Sequence, residues 1–295
     1  MSLRIAFMGL GRMGFPMAGH LAAKGYPVVV YNRTADRAEA WLESYRTHNV
    51  ERAETPQACV QDCAAVFCCL GNDDDVADVL LGEHGVLASM EKGGLLIDHT
   101  TTSAQLARRV YEQAHQRGVA FLDAPLSGGE KGAIDGKLAI MVGGEEQAYA
   151  RAVPIMQAYA SRISHIGASG SGQLAKMVNQ ICVAGVLQGL SEGIAFAEAA
   201  GVDHKRVFDV VAQGAAASWQ MSNRHETMAQ RSFDFGFKVD WMVKDLQYCL
   251  DESQRCGCPL PLTRFLHACY QELQQNGHSA SDTSSLITLL RRDSS

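Results

Sequence analysis

Five short apolar runs recur along the first half of the chain, and a segment of helical character separates each from the next. They are "RIAFMG" at residues 4–9, "PVVVYN" at 27–32, "AAVFCCL" at 64–70, "GLLIDH" at 94–99 and "VAFLDA" at 119–124. The second is β-branched and unbroken, as a strand buried on both faces must be. The helical stretch at 13–24 stops at Gly25, a good C-cap, and the one at 103–117 stops at Gly118. Short strands spaced by helices make βαβ units and a mostly parallel sheet. "LAIMVGG" at 138–144 is a further strand leading to a helix from Glu145, and "RISHIG" at 162–167 reads as an edge strand. Beyond it the strand signal vanishes. Residues 172–200 read as one long helix, and helical segments follow near 205–213, 219–230, 240–255 and 261–276, punctuated by Gly and Pro. The expected architecture is a doubly wound α/β domain over residues 1–165 and an all-α domain over 166–295, joined by the long helix. The tail after Gly277 is Ser-rich and reads as loose.

A length of 295 residues suits two domains. Hydrophobic residues make up 47% and charged ones 20%, enough apolar material for a large core. The net charge of -6 argues against nucleic acid or an anionic membrane surface as a partner. Residues 177–201 are apolar but carry Asn179, Gln180, Gln188, Ser191, Glu192 and Glu198, too polar a set for a membrane span. The N-terminal apolar run is short and breaks into Gly-rich sequence, so it lacks a signal-peptide layout. The 9 Cys are scattered, and Cys256 and Cys258 form a C-x-C with no matching pair, so no metal site is expected. Reduced, mostly buried thiols in a cytosol fit this pattern.

Between the first two strands lies Gly9-x-Gly11-x-x-Gly14, here with Leu10, Arg12 and Met13 in the variable places. After a strand and before a helix, this spacing makes a tight turn whose backbone N–H groups can approach a pyrophosphate. An NAD site usually places Asp or Glu at the end of the second strand. This chain has Asn32, Arg33 and Thr34 there, an amide, a guanidinium and a hydroxyl suited to a 2′-phosphate. A solvated loop arginine is the plain alternative. The pattern favours NADP, with NAD possible. Leu70 and Gly71 after the "AAVFCCL" run, and Thr100 and Thr101 after "GLLIDH", lie at strand carboxyl ends, where open α/β sheets bind ligands. Thr102 and Ser103 read as helix caps. Ser127, Gly128 and Gly129 form either a nest of N–H groups and a hydroxyl for a carboxylate, or a plain turn.

Lys176 is the lone charge between Arg162 and Glu192, at the head of the long apolar helix. Asn179 and Gln180 share its face at i+3 and i+4. A snorkelling structural lysine is one reading. The two amides favour another, a partly desolvated lysine exchanging a proton with a substrate that the amides hold. Trp219 and Trp241 read as core, and Lys244 as a surface charge paired with a nearby acid.

Taken together, "FMGLGRMGFPMA", "DHTTTS", "DAPLSGGEKGAIDGKLAIMVGG", "GSGQLAKMVNQ" and "KDL", in that order over nearly the whole chain, resemble the β-hydroxyacid dehydrogenase family. That family includes 3-hydroxyisobutyrate dehydrogenase, tartronate semialdehyde reductase and the glyoxylate and succinic semialdehyde reductases, with 6-phosphogluconate dehydrogenase more distant. The resemblance implies a Rossmann domain joined by a long helix to a helical domain, in dimers or tetramers, and hydride transfer between a nicotinamide cofactor and a small carboxylate-bearing hydroxyacid. It implies Lys176 as acid/base, Ser127, Gly128 and Gly129 as the carboxylate site, an amide beside the lysine orienting the reacting group, and Lys244 and Thr100 or Thr101 at the cofactor. A non-catalytic NADP-binding protein for sensing or partner recognition is the alternative, and the retained lysine argues against it. The chain departs from the family at Asn179-Gln180, where Asn-Asn is frequent, and at Leu70-Gly71, where Leu-Pro is. It departs again at Glu130 and Lys131, two charges where an apolar residue is more usual.

Overall fold

The computed structural model describes residues 3–290. Its first part contains β1 (Ile5–Met8), α1 (Gly14–Ala23), β2 (Val28–Tyr31), α2 (Ala35–Tyr45), β3 (Val50–Arg52), α3 (Pro56–Val60), β4 (Ala65–Cys68) and α4 (Asp73–Leu81). A 3₁₀ turn at Val86–Ala88 precedes β5 (Leu95–Asp98), α5 (Ala104–Gln116), β6 (Ala120–Asp123) and β7 (Leu126–Ser127). Then come α6 (Gly129–Ile134), β8 (Leu138–Gly144), α7 (Glu146–Met156) and β9 (Ala160–Gly167). The strands form one sheet in the order β3-β2-β1-β4-β5-β6-β8-β7, with β9 paired to β8. Strands β1 to β6 run parallel, β8 is antiparallel to β6 and β7, and β9 is parallel to β8. The chain winds outward from β1 through β2 to β3, then returns to β4 and continues the other way. Strands β1 and β4 therefore flank the topological switch point, the crevice where such sheets bind ligands.

The unbroken apolar strands are explained by burial on both faces. Ile5, Phe7, Val28, Val30, Phe67 and Ile97 pack on one face, and Ala6, Met8, Val29, Val66, Cys68 and Leu96 on the other. The short edge strand β3 and the two-residue β7 carried too little apolar signal to be expected from sequence. Among the described residues no cysteine is in a disulfide; Cys59, Cys63, Cys68 and Cys249 are buried, while Cys182, Cys256 and Cys258 are exposed.

The second part contains α8 (Ser171–Ala199), α9 (His204–Val211), α10 (Trp219–Ala229), α11 (Val239–Cys256), α12 (Pro261–Gln275) and a 3₁₀ stretch at Thr283–Leu289. The chain divides into two compact units inside α8, after Lys176. The reason is that the first turns of α8 are hydrogen-bonded to the sheet unit through Gly170, Gln173 and Lys176. By length and composition α8 could cross a bilayer, yet Ala184, Leu187, Leu190 and Ile194 pack it into a helical core with Met228, Met242, Leu246, Leu266 and Tyr270.

Two expectations are corrected here. The Ser-rich tail is not loose up to residue 290. Asp282 is buried and accepts hydrogen bonds from Phe237 N–H, Ser284 N–H and the Ser284 hydroxyl, which lets Leu286 and Ile287 enter the core. Residues 291–295 lie outside the described residues. Trp219 and Trp241 are not core: they are 57% and 40% exposed. Each lays its ring beside a cation, Trp219 with Arg224 at 5.0 Å and Trp241 with Lys244 at 5.5 Å, which lets an amphipathic ring stay at the surface. The buried tryptophan is Trp41, whose Nε1 donates to the Phe15 carbonyl.

Candidate active site

The turn between β1 and α1 is shaped by glycine. Gly9 has φ +92 and donates to the Tyr31 carbonyl. A Cβ on Gly14 would collide with the Gly9 backbone, so the turn closes tightly against the helix, while Gly11 faces open space. Neither a capping side chain nor an acidic residue serves the first turn of α1. The helix start thus offers backbone N–H groups and a positive dipole end to an anion. Asn32 closes the frame: its Oδ1 accepts from Leu10 N–H at 2.9 Å and its Nδ2 donates to the Thr34 carbonyl at 2.9 Å. Arg33 is next, with its side chain 86% exposed and its guanidinium 3.0 Å from Asp75 of α4. Thr34 starts α2 without a side-chain capping bond. These features fit a nicotinamide dinucleotide: Gly9, Leu10, Gly11, Arg12, Met13 and Gly14 would hold the pyrophosphate, and Asn32, Arg33 and Thr34 the adenosine end.

At the ends of β4 and β5, the Thr100 hydroxyl accepts from Leu70 N–H at 2.9 Å and the Thr100 N–H donates to Asp98 Oδ1 at 2.9 Å. Leu70, Gly71, Thr100 and Thr101 therefore lie in adjoining loops. Ser103 caps α5, its hydroxyl accepting from Leu106 N–H, and Asp73 of α4 binds the Ser103 N–H and hydroxyl. Thr102 is no cap, contrary to expectation; it is buried with its N–H donated to the side chain of Gln173. Beneath these loops His99 bridges the Ala124 carbonyl and the Tyr159 hydroxyl, and burial lowers its pKa to about 4.

Ser127 ends β7, and Gly128 and Gly129 follow with φ +126 and +61 at the start of α6. Both lie in the left-handed region that favours glycine, so the chain can turn sharply between β7 and α6. The two unexpected charges beside it are both compensated: Glu130 pairs with Arg12 at 3.4 Å and Lys131 with Asp135 at 2.9 Å. Lys176 is 8% exposed, and its Nζ donates to the Leu126 carbonyl at 2.7 Å, one residue before Ser127. A snorkelling lysine would extend to water; this one is held inside.

In the second unit, Asn179 is half-buried and donates to the Gln180 amide oxygen at 2.8 Å. Gln180 donates in turn to Asp245 Oδ2 at 2.7 Å. Lys244 pairs with a nearby acid as expected, but it is less exposed than a surface charge. Its side chain is 17% exposed, 3.2 Å from Asp245 Oδ1 and flanked by the Trp241 and Tyr248 rings. Sequence reasoning gave no role to several buried polar residues, among them Asp98, Asp123, Gln173 and Asp245. A signal existed for two of them, since "LLID" and "AFLD" each place an acid where a buried strand stops. Among the described residues no cluster of His, Cys, Asp or Glu is arranged to hold a metal ion.

The doubly wound sheet, the glycine turn at its switch point and the helical second unit define an NAD(P)-dependent dehydrogenase. Residues 4–167 match the NAD binding domain of 6-phosphogluconate dehydrogenase, and residues 170–290 match the NAD-binding region of NADP-dependent 3-hydroxyisobutyrate dehydrogenase. The chain is 48% identical to an uncharacterized oxidoreductase of Shewanella frigidimarina, over 99% of both chains. It is 34% identical to the 2-hydroxy-3-oxopropionate reductase of Escherichia coli, over 98% of this chain and 97% of that one. Among solved structures it resembles Mycobacterium tuberculosis 3-hydroxyisobutyrate dehydrogenase with L-serine, at TM-score 0.89 and 31% identity, covering 99% of this chain and 100% of that one. The chain belongs to the β-hydroxyacid dehydrogenase family, whose members are nicotinamide-dependent oxidoreductases acting on CH–OH groups of small molecules.

Proposed function

We propose that this enzyme prefers NADP(H) and interconverts a small β-hydroxyacid and its semialdehyde or keto acid, with Lys176 as general acid/base. The observation that carries the reading is the position of Lys176: an amine withdrawn from water, held at 2.7 Å by the Leu126 carbonyl beside the Ser127–Gly129 loop. The bound nicotinamide supplies or removes the hydride. Lys176 donates a proton to the substrate oxygen in reduction and accepts the hydroxyl proton in oxidation. The Ser127 hydroxyl and the N–H groups of Gly128 and Gly129 hold the substrate carboxylate, while Thr100 and Thr101 face the cofactor. Asn179 and Gln180 follow Lys176 on one helix at i+3 and i+4, the spacing of one face, and orient the reacting group. Lys244 keeps its role as a cofactor contact on the family resemblance alone. The substrate class is supported by the relatives: 2-hydroxy-3-oxopropionate and L-serine are both three-carbon carboxylates bearing oxygen at the β position.

Residues 1–165 carry the cofactor and 166–295 serve substrate binding and dimerisation in this reading. Val178, Cys182 and Val186 lie exposed at successive i+4 positions on α8, with Phe196 further along. That apolar stripe supports a homodimer or homotetramer, which light scattering tests. Reduced thiols support a cytosolic location.

The deciding experiment is a screen of short hydroxyacids and aldehydes by nicotinamide absorbance with both cofactors, on wild type and Lys176→Ala. The variant should lose at least ~10²-fold in turnover while binding NADPH normally. Turnover retained in the variant refutes the assignment.

A further inference from the structure

Among the buried polar residues of the first unit with no part in the reaction as described are Asp98, Asp123 and Gln173. Asp98 and Asp123 are register partners at the ends of β5 and β6, 2% and 0% exposed. An ionised carboxylate inside a protein is unfavourable unless fully hydrogen-bonded, so what each holds is informative. Asp123 holds the start of α8. Its Oδ1 accepts from Gly170 N–H at 2.7 Å and its Oδ2 from Gln173 N–H at 2.9 Å. These are donors that a helix start leaves without partners of its own, and the positive end of the helix dipole faces the charge. The fit leaves no spare volume. A Cβ on Gly143 would lie 2.6 Å from Asp123 Oδ1, and one on Gly172 would lie 2.8 Å from Oδ2. Glycine at both places is what lets the carboxylate reach the helix.

Gln173 is a second arm. Its Nε2 donates to the Thr100 carbonyl at 2.7 Å, and its Oε1 accepts from Thr102 N–H at 3.1 Å. Thr100 is tied in turn to Leu70 and Asp98. Lys176 lies three residues beyond Gln173, on the same side of the helix, and Leu126, which accepts from its Nζ, lies three residues beyond Asp123. One chain of hydrogen bonds therefore runs from the Leu70 and Thr100 loops through Gln173 and Asp123 to the turn bearing the lysine.

We infer that Asp123 and Gln173 are positioning residues: together they mount the first turn of α8 on the sheet and set the Lys176 amine relative to the Thr100 loop. Water or a surface serine could satisfy the same helix donors. A rigid buried mount, in contrast, holds a reacting nitrogen to within about 0.5 Å. The inference rests on Lys176 being the acid/base.

Asp123→Asn keeps the size and removes the charge, placing an amide NH₂ against helix donors. Gln173→Met keeps the length and removes the polar arm. Each is measured alone and combined with Lys176→Ala, using the best substrate from the screen, with NADPH titration and thermal unfolding alongside. Each single variant is expected to lower kcat by ~10–100-fold, the effect of a misplacement of about 1 Å, while substrate KM and NADPH Kd stay within ~2-fold. On the Lys176→Ala background neither should lower residual turnover by more than ~2-fold, because an absent amine cannot be misplaced. Equal losses on both backgrounds mean that the residues only hold the fold, and they overturn the inference. A single variant with wild-type kcat overturns it too. If Asp123→Asn does not fold, Gln173→Met decides alone. If Lys176→Ala keeps full turnover, the acid/base reading falls and takes the mount with it. A loss in Lys176→Ala with none in the mount variants refutes the mount alone.

Discussion

Replacing Arg33 with Ala should separate the two cofactors. The Arg33 guanidinium is 3.0 Å from Asp75 Oδ1, with the two side chains 86% and 30% exposed. An exposed pair of that kind contributes about 0–1 kcal/mol. A charge-assisted contact to a 2′-phosphate contributes about 1.5–3 kcal/mol. In the proposed NADP(H) complex the first is exchanged for the second, so the net contribution of Arg33 would be about 0.5–3 kcal/mol, or roughly 2- to 160-fold in Kd. Asp75 opposes the phosphate twice, by occupying Arg33 and by its own charge. Asp75→Asn should therefore tighten NADPH by up to ~5-fold. The assay is fluorescence titration of NADPH and NADH at one fixed ionic strength, since the exposed charges are screened by salt. Arg33→Ala should weaken NADPH by the range above and NADH by less than ~2-fold. Equal losses for both cofactors, or weaker NADPH binding in Asp75→Asn, would refute the reasoning.

Gly172→Ala places a Cβ 2.6 Å from the Met141 carbonyl and 2.8 Å from Asp123 Oδ2; a loss of about 1–3 kcal/mol in urea unfolding is expected, and a wild-type midpoint would contradict the packing. Burial raises the Asp98 carboxyl from 3.8 to about 7, so the stability this group contributes is present at acid pH and is lost as pH rises through 7. Asp98→Asn should then gain on wild type between about pH 4 and pH 7, at up to ~1.4 kcal/mol per pH unit, and parallel urea stability curves across that range would defeat the claim. His99 works in the opposite sense: its pKa is lowered to about 4 by burial, so its contribution is present above its ordinary 6.5 and lost as pH falls through 4. Gln180→Asn shortens the amide that reaches Asp245 at 2.7 Å and leaves a buried acceptor without that donor; a loss of about 1–3 kcal/mol by calorimetry is expected, and an unchanged melting temperature would show that another donor takes its place.

Much of the first unit was legible because its signals are local. A run such as "PVVVYN" needs burial on both faces wherever it goes, and Gly9, Gly11 and Gly14 shape a turn within six residues. Ser103 as a cap is equally local, since its hydroxyl reaches an N–H three residues on. The candidate site was legible to the same depth. Lys176 drew notice because an isolated charge on an apolar helix is anomalous in the sequence itself. Asp123 and Gln173 drew none, because an aspartate ending a strand and a glutamine on a helix look ordinary until their partners, 47 to 73 residues away, are brought to them.

The sequence by itself determined the alternation of strands and helices, the dinucleotide turn and the lone lysine, all consequences of chemistry within one turn or strand. Tertiary structure alone decided that Trp219 and Trp241 stay outside while the Ser-rich tail packs inside, that Glu130 is answered by Arg12, and that the helix bearing Lys176 is seated on a buried carboxylate. Those outcomes depend on which groups meet across the fold. Burial and hydrogen-bond partners belong to pairs of distant residues, and no single stretch of chain contains them.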